Sequence, residues 1–331
     1  MMPRLNLVWP RDTLTEWGWF RQLFERLDVV HHVDPELRLV EPNTIYITDR
    51  PAALPAAFLE RAARVPNLGL CHISDEWFAG GYGNYGRFDL VLRNYRARRF
   101  AHPRILTLPL GYGRHTPART AVRDVRDRRD VWFFAGTAIA TRRHMARCLE
   151  PIEPHRLHLY DWRDTAERLG AAGYHAALDE TMFAPCPMGN VHLETNRIYE
   201  ALEAGCIPIV ETRRHFPHLD ILLGPHPLLE VRSWREAPDL VRRLLGEPER
   251  LRALQLETLA WWEACKRRLQ DELGRHLERH FAPSPAAPAP QRWRFAEAPR
   301  FWGYGEMLKH HSLVALVARS RLTVERALHR R

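Results

Sequence analysis

Two charged residues, Arg197 and Glu200, have the spacing and the setting of a site for a phosphorylated ligand. The pattern around them predicts a helix over residues 195–204, on which residues three apart share one face. The N-terminus of such a helix carries unpaired N–H groups and a partial positive charge, which suit phosphate. The Arg197 guanidinium could grip a diphosphate, and the Glu200 carboxylate could accept from ribose hydroxyls. The alternative is an ordinary i,i+3 ion pair on a solvated helix face.

The residues around this helix complete a loop, a helix and a strand. Gly205 stands where a helix C-cap is expected, and residues 206–210 form a short apolar run that predicts a strand. Pro208 in that run favours an edge strand or a strand end, because proline cannot donate a ladder hydrogen bond. We predict that Gly189 of the preceding loop and Asn196 at the helix start also contact the ligand.

Three segments resemble exostosin-type glycosyltransferases. In the donor-binding segment of that family, an Arg and a Glu three residues on precede Ala-Leu, a small-residue pair and an Ile-Pro-Val strand. Residues 197–210, RIYEALEAGCIPIV, are similar to that segment. Residues 72–77 (HISDEW) and 93–95 (RNY) resemble the branch that includes ribitol xylosyltransferase. The resemblance runs in patches over residues 68–210 and is strongest in the donor helix.

The resemblance implies a GT-B glycosyltransferase, with two Rossmann-like α/β domains facing each other across a cleft. It implies transfer of a sugar from a nucleotide diphosphate, UDP being the first candidate, to a glycan or a polyol-phosphate acceptor. The alternative GT-A architecture holds a metal with a DxD pair, and no two aspartates here are spaced two apart. We therefore expect no metal and no cofactor. A non-catalytic nucleotide- or glycan-binding protein of the same fold, and a basic nucleic-acid-binding protein, are the alternative functions.

The HISDEW segment supplies candidates for a catalytic base. His72, Asp75 and Glu76 follow a predicted strand in the domain that binds acceptors in GT-B enzymes. An inverting transfer needs a carboxylate or an imidazole within reach of the acceptor hydroxyl, and we predict Asp75 first and Glu76 second. Capping of the next helix is the alternative for Asp75. Arg93 is predicted to bind an acceptor anion, or else to pair with Asp75 or Glu76.

A literal GxGxxG occurs at residues 81–86. It is not interpreted as a dinucleotide fingerprint, because a predicted strand rather than a helix follows it and residues 104–110 contain no acid. We predict a flexible loop whose Tyr82 or Tyr85 stacks on an acceptor sugar.

A second phosphate contact is predicted after the apolar run VWFFAG. Gly136 and Thr137 would open a helix there, and Arg142 and Arg143 follow closely. This resembles the arrangement that contacts donor phosphates in many GT-B proteins. A solvated surface is the alternative for the arginines, and we favour it for one of the two.

The elements that must position these residues alternate between strands and helices, which predicts parallel sheets in two α/β domains. We predict an N-terminal, acceptor-side domain over residues 1–118, a charge-dense linker over 119–130 and a nucleotide-sugar-binding domain over 131–281. Residues 282–331 would be a Pro-rich segment and a basic helical tail. Peripheral association with a membrane through this tail is compatible with the sequence.

The composition of the 331 residues is that of a soluble globular protein, with 45% hydrophobic and 27% charged residues. The net charge of +9 comes from arginine, which suits phosphate, and no nucleic-acid recognition motif accompanies it. No apolar run approaches the roughly 20 residues of a membrane span, and the first residues do not form a signal peptide. We expect a cytoplasmic protein. The five cysteines show no metal-ligand spacing.

Overall fold

The computed structural model describes residues 4–12, 14–78, 80–118, 121–161, 168–281, 293–299 and 302–310. These residues form two compact units. The first contains the described residues up to Arg114 and from Ala264 to Glu306, and the second contains those from His115 to Glu263 and from Met307 onward. Of the predicted Pro-rich segment and basic tail, residues 282–292, 300–301 and 311–331 lie outside the described residues, and so does Thr13, a predicted helix N-cap.

The first unit is built on a six-stranded parallel sheet with the order β2-β1-β3-β4-β5-β6. Its strands are β1 (Leu5–Trp9), β2 (Val29–Val33), β3 (Thr44–Thr48), β4 (Leu68–His72), β5 (Leu90–Arg93) and β6 (Ile105–Thr107). Helix α1 (Trp17–Phe24) follows β1, and α2 (Ala56–Ala62) follows β3. The sequence pattern indicates all of these strands except β2, whose His31-His32 doublet interrupts the apolar run.

The second unit is built on a five-stranded parallel sheet with the order β11-β10-β9-β7-β8. Its strands are β7 (Asp130–Thr137), β8 (His155–Tyr160), β9 (Thr181–Cys186), β10 (Ile207–Glu211) and β11 (Leu229–Val231). The helices that follow β7 to β11 are α3 (Ala140–Leu149), α4 (Ala171–Asp179), α5 (Asn196–Glu203), α6 (His218–Leu223) and α7 (Ala237–Leu245). Two parallel α/β sheets were predicted, and the structure confirms them.

Strand β10 is not an edge strand, which corrects one of the two interpretations of Pro208. The strand lies between β11 and β9, and Pro208 pairs with Ala184 of β9. Strand β11 is shorter and pairs only with the last three residues of β10, from Ile209 to Glu211. Pro208 therefore lies near the start of β10, before the three residues that pair with β11.

The last long helix, α8 (Pro248–His280), contributes residues to both units, and α9 (Trp302–Leu308) follows it in the chain. Residues 264–280 belong to the first unit rather than to the predicted C-terminal domain. Asp271 pairs with Arg26 at 2.6 Å, and His280 hydrogen-bonds the Pro103 carbonyl at 2.8 Å. None of the described helices is both long and apolar enough to cross a membrane.

The charge-dense stretch predicted as a linker is packed into the second unit in its described part, residues 121–130. Val125 is fully buried in the core, and Arg128 is only 4% exposed. The Arg128 guanidinium donates to the carbonyl oxygens of Thr181 and Ala204, each at 2.7 Å. The prediction was wrong because backbone carbonyls can satisfy a buried guanidinium, so charge density alone does not place a segment in solvent.

Candidate functional site

Helix α5 and strand β7 together position Arg197. The guanidinium donates to the Ala135 carbonyl and lies over the Phe134 ring, with 4.2 Å from its carbon to the ring centroid. A Cβ on Gly136 would lie 3.1 Å from Arg197 Nη2, so the glycine permits this close approach. The carboxyl ends of parallel strands meet at one sheet edge, and α5 therefore begins where β7 ends.

Glu200, one turn further along α5, has a different partner. The Tyr174 hydroxyl of α4 donates to Glu200 Oε2 at 2.9 Å. Burial, together with the Glu200 charge, raises the pKa of Tyr174 well above its usual value, so the phenol stays a donor. Arg197 and Glu200 are thus not the simple surface ion pair that the spacing alone allowed. Sequence reasoning missed Tyr174, because nothing in its local spacing relates it to Glu200.

The N-terminus of α5 has the features of an anion site. Thr195, its N-cap residue, is 8% exposed and makes no side-chain cap bond. Among the described residues, Thr195 Oγ1 and Arg197 Nε are buried and have no hydrogen-bond partner. Buried donors of this kind are normally satisfied, and a phosphate oxygen at the positive end of the helix would satisfy them. Asn196 is the first residue of the helix and is half-buried.

Gly189 shapes the loop before α5. Its N–H donates to the His192 carbonyl at 2.7 Å, so this N–H is not available to a ligand. The direct ligand contact predicted for Gly189 is therefore corrected to a turn.

Two buried acids bind neighbouring parts of the same region. Glu211 Oε2 accepts from the Met188 N–H at 3.3 Å, and Glu194 Oε1 accepts from the Tyr199 hydroxyl at 2.6 Å.

The second predicted helix N-terminus lies further along the chain than the sequence indicated. Gly136 and Thr137 are the last residues of β7, and α3 begins at Ala140. Arg142 is half-buried and donates to the Thr137 carbonyl at 3.3 Å, whereas Arg143 is exposed. The phosphate-contact prediction for Gly136 and Thr137 is corrected to a strand end beside Arg197. Arg143 has the solvated position expected for one of the two arginines.

In the first unit, the predicted acceptor residues form a buried network. Asp75 Oδ2 accepts from Arg93 Nη2 at 3.1 Å and from the Tyr82 hydroxyl at 2.8 Å. Arg93 Nη1 donates to the Tyr85 hydroxyl at 2.9 Å, and His72 Nδ1 lies 2.6 Å from the same oxygen. All five side chains belong to buried residues, and the Arg93 guanidinium lies 3.5 Å above the Phe100 ring centroid.

This network corrects the roles predicted for its members. Tyr82 and Tyr85 are 0% exposed and form part of a 3-10 helix, Tyr82–Arg87, rather than a flexible loop that could stack on a sugar. Arg93 pairs with Asp75, which was the alternative to the predicted binding of an acceptor anion. Burial, followed by the Arg93 charge, lowers the pKa of His72 well below its usual value, so this imidazole is neutral.

Asp75 is an unsuitable base in this conformation, since its carboxylate is held by a guanidinium and a phenol. Direct acceptor contacts through His72 and Arg93 are corrected as well, because both side chains are bound within this network. Glu76 is half-buried, and its role stays a prediction.

Another carboxylate of the first unit, Glu16, was missed by sequence reasoning. It precedes α1 and is 3% exposed, and it accepts a hydrogen bond from the hydroxyl of Ser74, an exposed residue just after β4. Burial raises the pKa of Glu16 above its usual value, although the hydrogen bond from Ser74 partly opposes this effect. The carboxylate therefore lies within hydrogen-bond distance of a hydroxyl just beyond the carboxyl end of β4. An acid before an apolar helix gives no sequence signal beyond a cap.

A family model and a curated relative cover the part of the chain that contains the α5 site. Residues 134–282 match the model described as the RXYLT1 C-terminal domain. Over 240 residues, the chain is 25% identical to ribitol-5-phosphate xylosyltransferase 1 of Mus musculus, an alignment that covers 65% of this chain and 53% of that protein. The chain is similar in sequence to this xylosyltransferase. The match spans about half the length of this relative.

Solved structures share the fold at low identity. An α1,3-fucosyltransferase has a TM-score of 0.51 at 13% identity, over 87% of this chain and 93% of that one. Anabaena Alr3699/HepE, solved in complex with UDP and glucose, also has a TM-score of 0.51, at 10% identity, over 83% of this chain and 100% of that one. The predicted GT-B class of fold is confirmed.

The segment related to the xylosyltransferase family contains one of the two groups of candidate residues. Arg197, Glu200 and Tyr174 lie within residues 134–282, whereas Glu16 and Asp75 lie outside them. The family model therefore bears on the predicted donor site and not on the choice of base.

Proposed function

We propose that this protein is a glycosyltransferase that moves a sugar from a nucleotide diphosphate, UDP being the first candidate, to a glycan or polyol-phosphate acceptor. The observation that carries the proposal is the α5 N-terminus, where the buried Thr195 hydroxyl has no hydrogen-bond partner and Arg197 contacts the end of β7. The relation to ribitol-5-phosphate xylosyltransferase 1 and the fold of UDP-binding Alr3699/HepE support it.

The donor would be bound by the second unit. Arg197 and the helix end would bind the diphosphate, whose charge grows as the sugar leaves, and Glu200, fixed by Tyr174, would accept from the ribose hydroxyls. A positioned guanidinium and a helix N-terminus stabilise a leaving diphosphate without a metal, so we propose metal-independent transfer.

The acceptor would be deprotonated by a carboxylate of the first unit. We assign this role to Glu16 in place of Asp75. The Ser74 hydroxyl donates to Glu16 as an acceptor hydroxyl would, and the raised pKa makes this carboxylate a stronger base than an ordinary one. An alkoxide-like oxygen would then attack the anomeric carbon, while the diphosphate leaves toward Arg197.

Calorimetric binding of UDP and GDP, with EDTA present, tests the donor site. Loss of a charged hydrogen bond removes about 1.5–3 kcal/mol, so we expect Arg197→Ala to bind UDP roughly 10- to 150-fold more weakly than the wild type. Arg147→Ala, which removes an exposed arginine of α3, is the matched control and should bind as the wild type does. Equal UDP affinity in wild type and Arg197→Ala would remove Arg197 from the site.

Turnover separates the enzyme from a binding protein of the same fold. Release of UDP from UDP-xylose and UDP-glucose, with and without ribitol 5-phosphate or glycan acceptors, is the measurement. Binding of UDP without any turnover across this panel would favour the non-catalytic alternative.

A further inference from the structure

Two carboxylate side chains of the second unit lie near one imidazole, and none of the three residues belongs to the sites assigned above. Asp220 lies on α6, Glu230 on β11 and His226 in the connection between them. His226 Nε2 is 3.6 Å from Asp220 Oδ1 and 3.9 Å from Glu230 Oε1, and the three atoms all lie within 4.8 Å of one another. One nitrogen and two carboxylate oxygens thus face a common point.

The separations fit a shared cation better than direct hydrogen bonds. Both nitrogen–oxygen distances exceed the roughly 2.7–3.2 Å of an N–H···O bond. Two ligands held about 2.1 Å from a tetrahedral ion are about 3.4 Å apart, which is close to what is observed. The gap between imidazole and carboxylates is therefore of the size that a bound metal ion would fill.

The state of His226 gives an independent argument. Its side chain is 3% exposed, and among the described residues neither of its ring nitrogens has a hydrogen-bond partner. Leaving a buried polar group unsatisfied is unfavourable, and a metal bond to Nε2 would remove part of that penalty. Trp261 holds the connection in place, since its Nε1 donates to the Pro225 carbonyl at 2.9 Å.

The donor set indicates the class of cation. Imidazole nitrogen suits zinc and other first-row transition metals, whereas magnesium and calcium prefer all-oxygen sites. The Asp220 and Glu230 side chains are 50% and 34% exposed, so the cation could enter from solvent and keep water in a remaining position.

We propose that Asp220, His226 and Glu230 bind one divalent transition-metal ion, zinc being the first candidate. The ion would tie α6 to β11 through the connection that carries His226. It has no part in the proposed sugar transfer. The rival arrangement is a direct contact of His226 with the two carboxylates without metal.

Zinc titration of the full-length, tag-free, EDTA-treated protein tests this. We expect the wild type to bind one more zinc ion per chain than the double variant Asp220→Asn/Glu230→Gln. Any zinc that the double variant binds at this site should be held at least tenfold more weakly. Zinc should raise the Tm of the wild type and not that of the double variant. The substituted carboxylates are partly exposed, so the variant should fold. Asp239→Asn, which removes an exposed acid of the same unit, is the control and should bind zinc as the wild type does.

Cobalt(II) provides a second measurement at the same site. Cobalt added to the EDTA-treated wild type should give visible d–d absorption typical of four- or five-coordination, absent from the double variant. Equal zinc stoichiometry and affinity in wild type and double variant, or no visible cobalt band in either, would overturn the proposal. UDP binding is measured separately with EDTA present, so either proposal can fail without the other.

Discussion

Asp75 and Arg93 form an ion pair of 3.1 Å in which the two side chains are 2% and 0% exposed. Tyr82 donates to the same carboxylate oxygen, and Phe100 packs against the guanidinium. A pair so completely removed from water depends on both partners, because either charge alone would be buried without compensation. The motif that looked most like catalytic chemistry in the first unit is thus part of its internal structure.

Replacing Asp75 should therefore unfold the protein more readily. We expect Asp75→Ala to lower the free energy of unfolding by about 3–5 kcal/mol. Urea denaturation of the wild type and the variant measures this difference. Asp28→Ala is the control, since Asp28 pairs with Arg4 on the surface and such pairs contribute about 0–1 kcal/mol. An Asp75→Ala protein of normal stability that had lost transfer activity would instead restore Asp75 as the base.

Glu16 should set the acid limb of the pH–activity profile. A base must be deprotonated, and burial raises the pKa of this carboxyl, so kcat/KM should rise with pH with a midpoint above the ordinary value of 4.5. Glu16→Gln should lower kcat roughly 10²- to 10⁴-fold and remove that limb. Glu25→Gln, at an exposed position after α1, should leave the profile unchanged. An unaltered acid limb in Glu16→Gln would exclude Glu16 as the base.

The same group gives a stability signature with a defined sign. The folded state binds the Glu16 proton more tightly than the unfolded state, so its contribution to stability falls as pH rises from about 4.5 through the raised pKa. We expect the stability of Glu16→Gln to decrease less with rising pH than that of the wild type. Denaturation midpoints of both proteins between pH 4 and pH 8 measure this difference. A pH dependence identical in both proteins would show that the pKa of Glu16 is not raised.

Arg128 and its neighbour Arg129 offer a matched test of the packed segment before β7. Arg128→Ala removes a guanidinium bound by several carbonyls, and we expect a loss of more than about 3 kcal/mol in unfolding free energy. Arg129 is exposed, so Arg129→Ala should change it by less than about 1 kcal/mol. Equal stability of the two variants would mean that the segment is a linker after all.

Gly205 should tolerate no side chain. Its φ of +66° is left-handed, and an added Cβ would lie 2.1 Å from Val122 Cγ1. We expect Gly205→Ala to destabilise the protein by more than about 1 kcal/mol in thermal or urea unfolding. Gly274 is the control: it lies within α8 with no atom within 4 Å of its Cβ position, so Gly274→Ala should stabilise by about 0.5–1 kcal/mol. Similar behaviour of both variants would contradict this account.

Local patterns in the sequence predicted most of the strands and the helix that carries Arg197 and Glu200. The helix that carries Arg197 and Glu200, the strand after it and the left-handed Gly205 all follow from spacing and from the conformational freedom of glycine. The alternation of strands and helices likewise predicted two parallel sheets. These features depend on residues within a few positions of one another, which is the range over which a sequence pattern carries structural information.

Only the tertiary structure decided which charged residues are buried and with which partners. The bond between Tyr174 and Glu200, the one between Ser74 and Glu16 and the carbonyls around Arg128 join residues 26, 58 and 50–76 positions apart. No periodicity relates such positions, because the packing of separate elements brings them together. The sequence by itself therefore determined where the helix that carries Arg197 and Glu200 begins, and the fold determined that Asp75 is paired with Arg93 in the interior while Glu16 is hydrogen-bonded to the exposed Ser74.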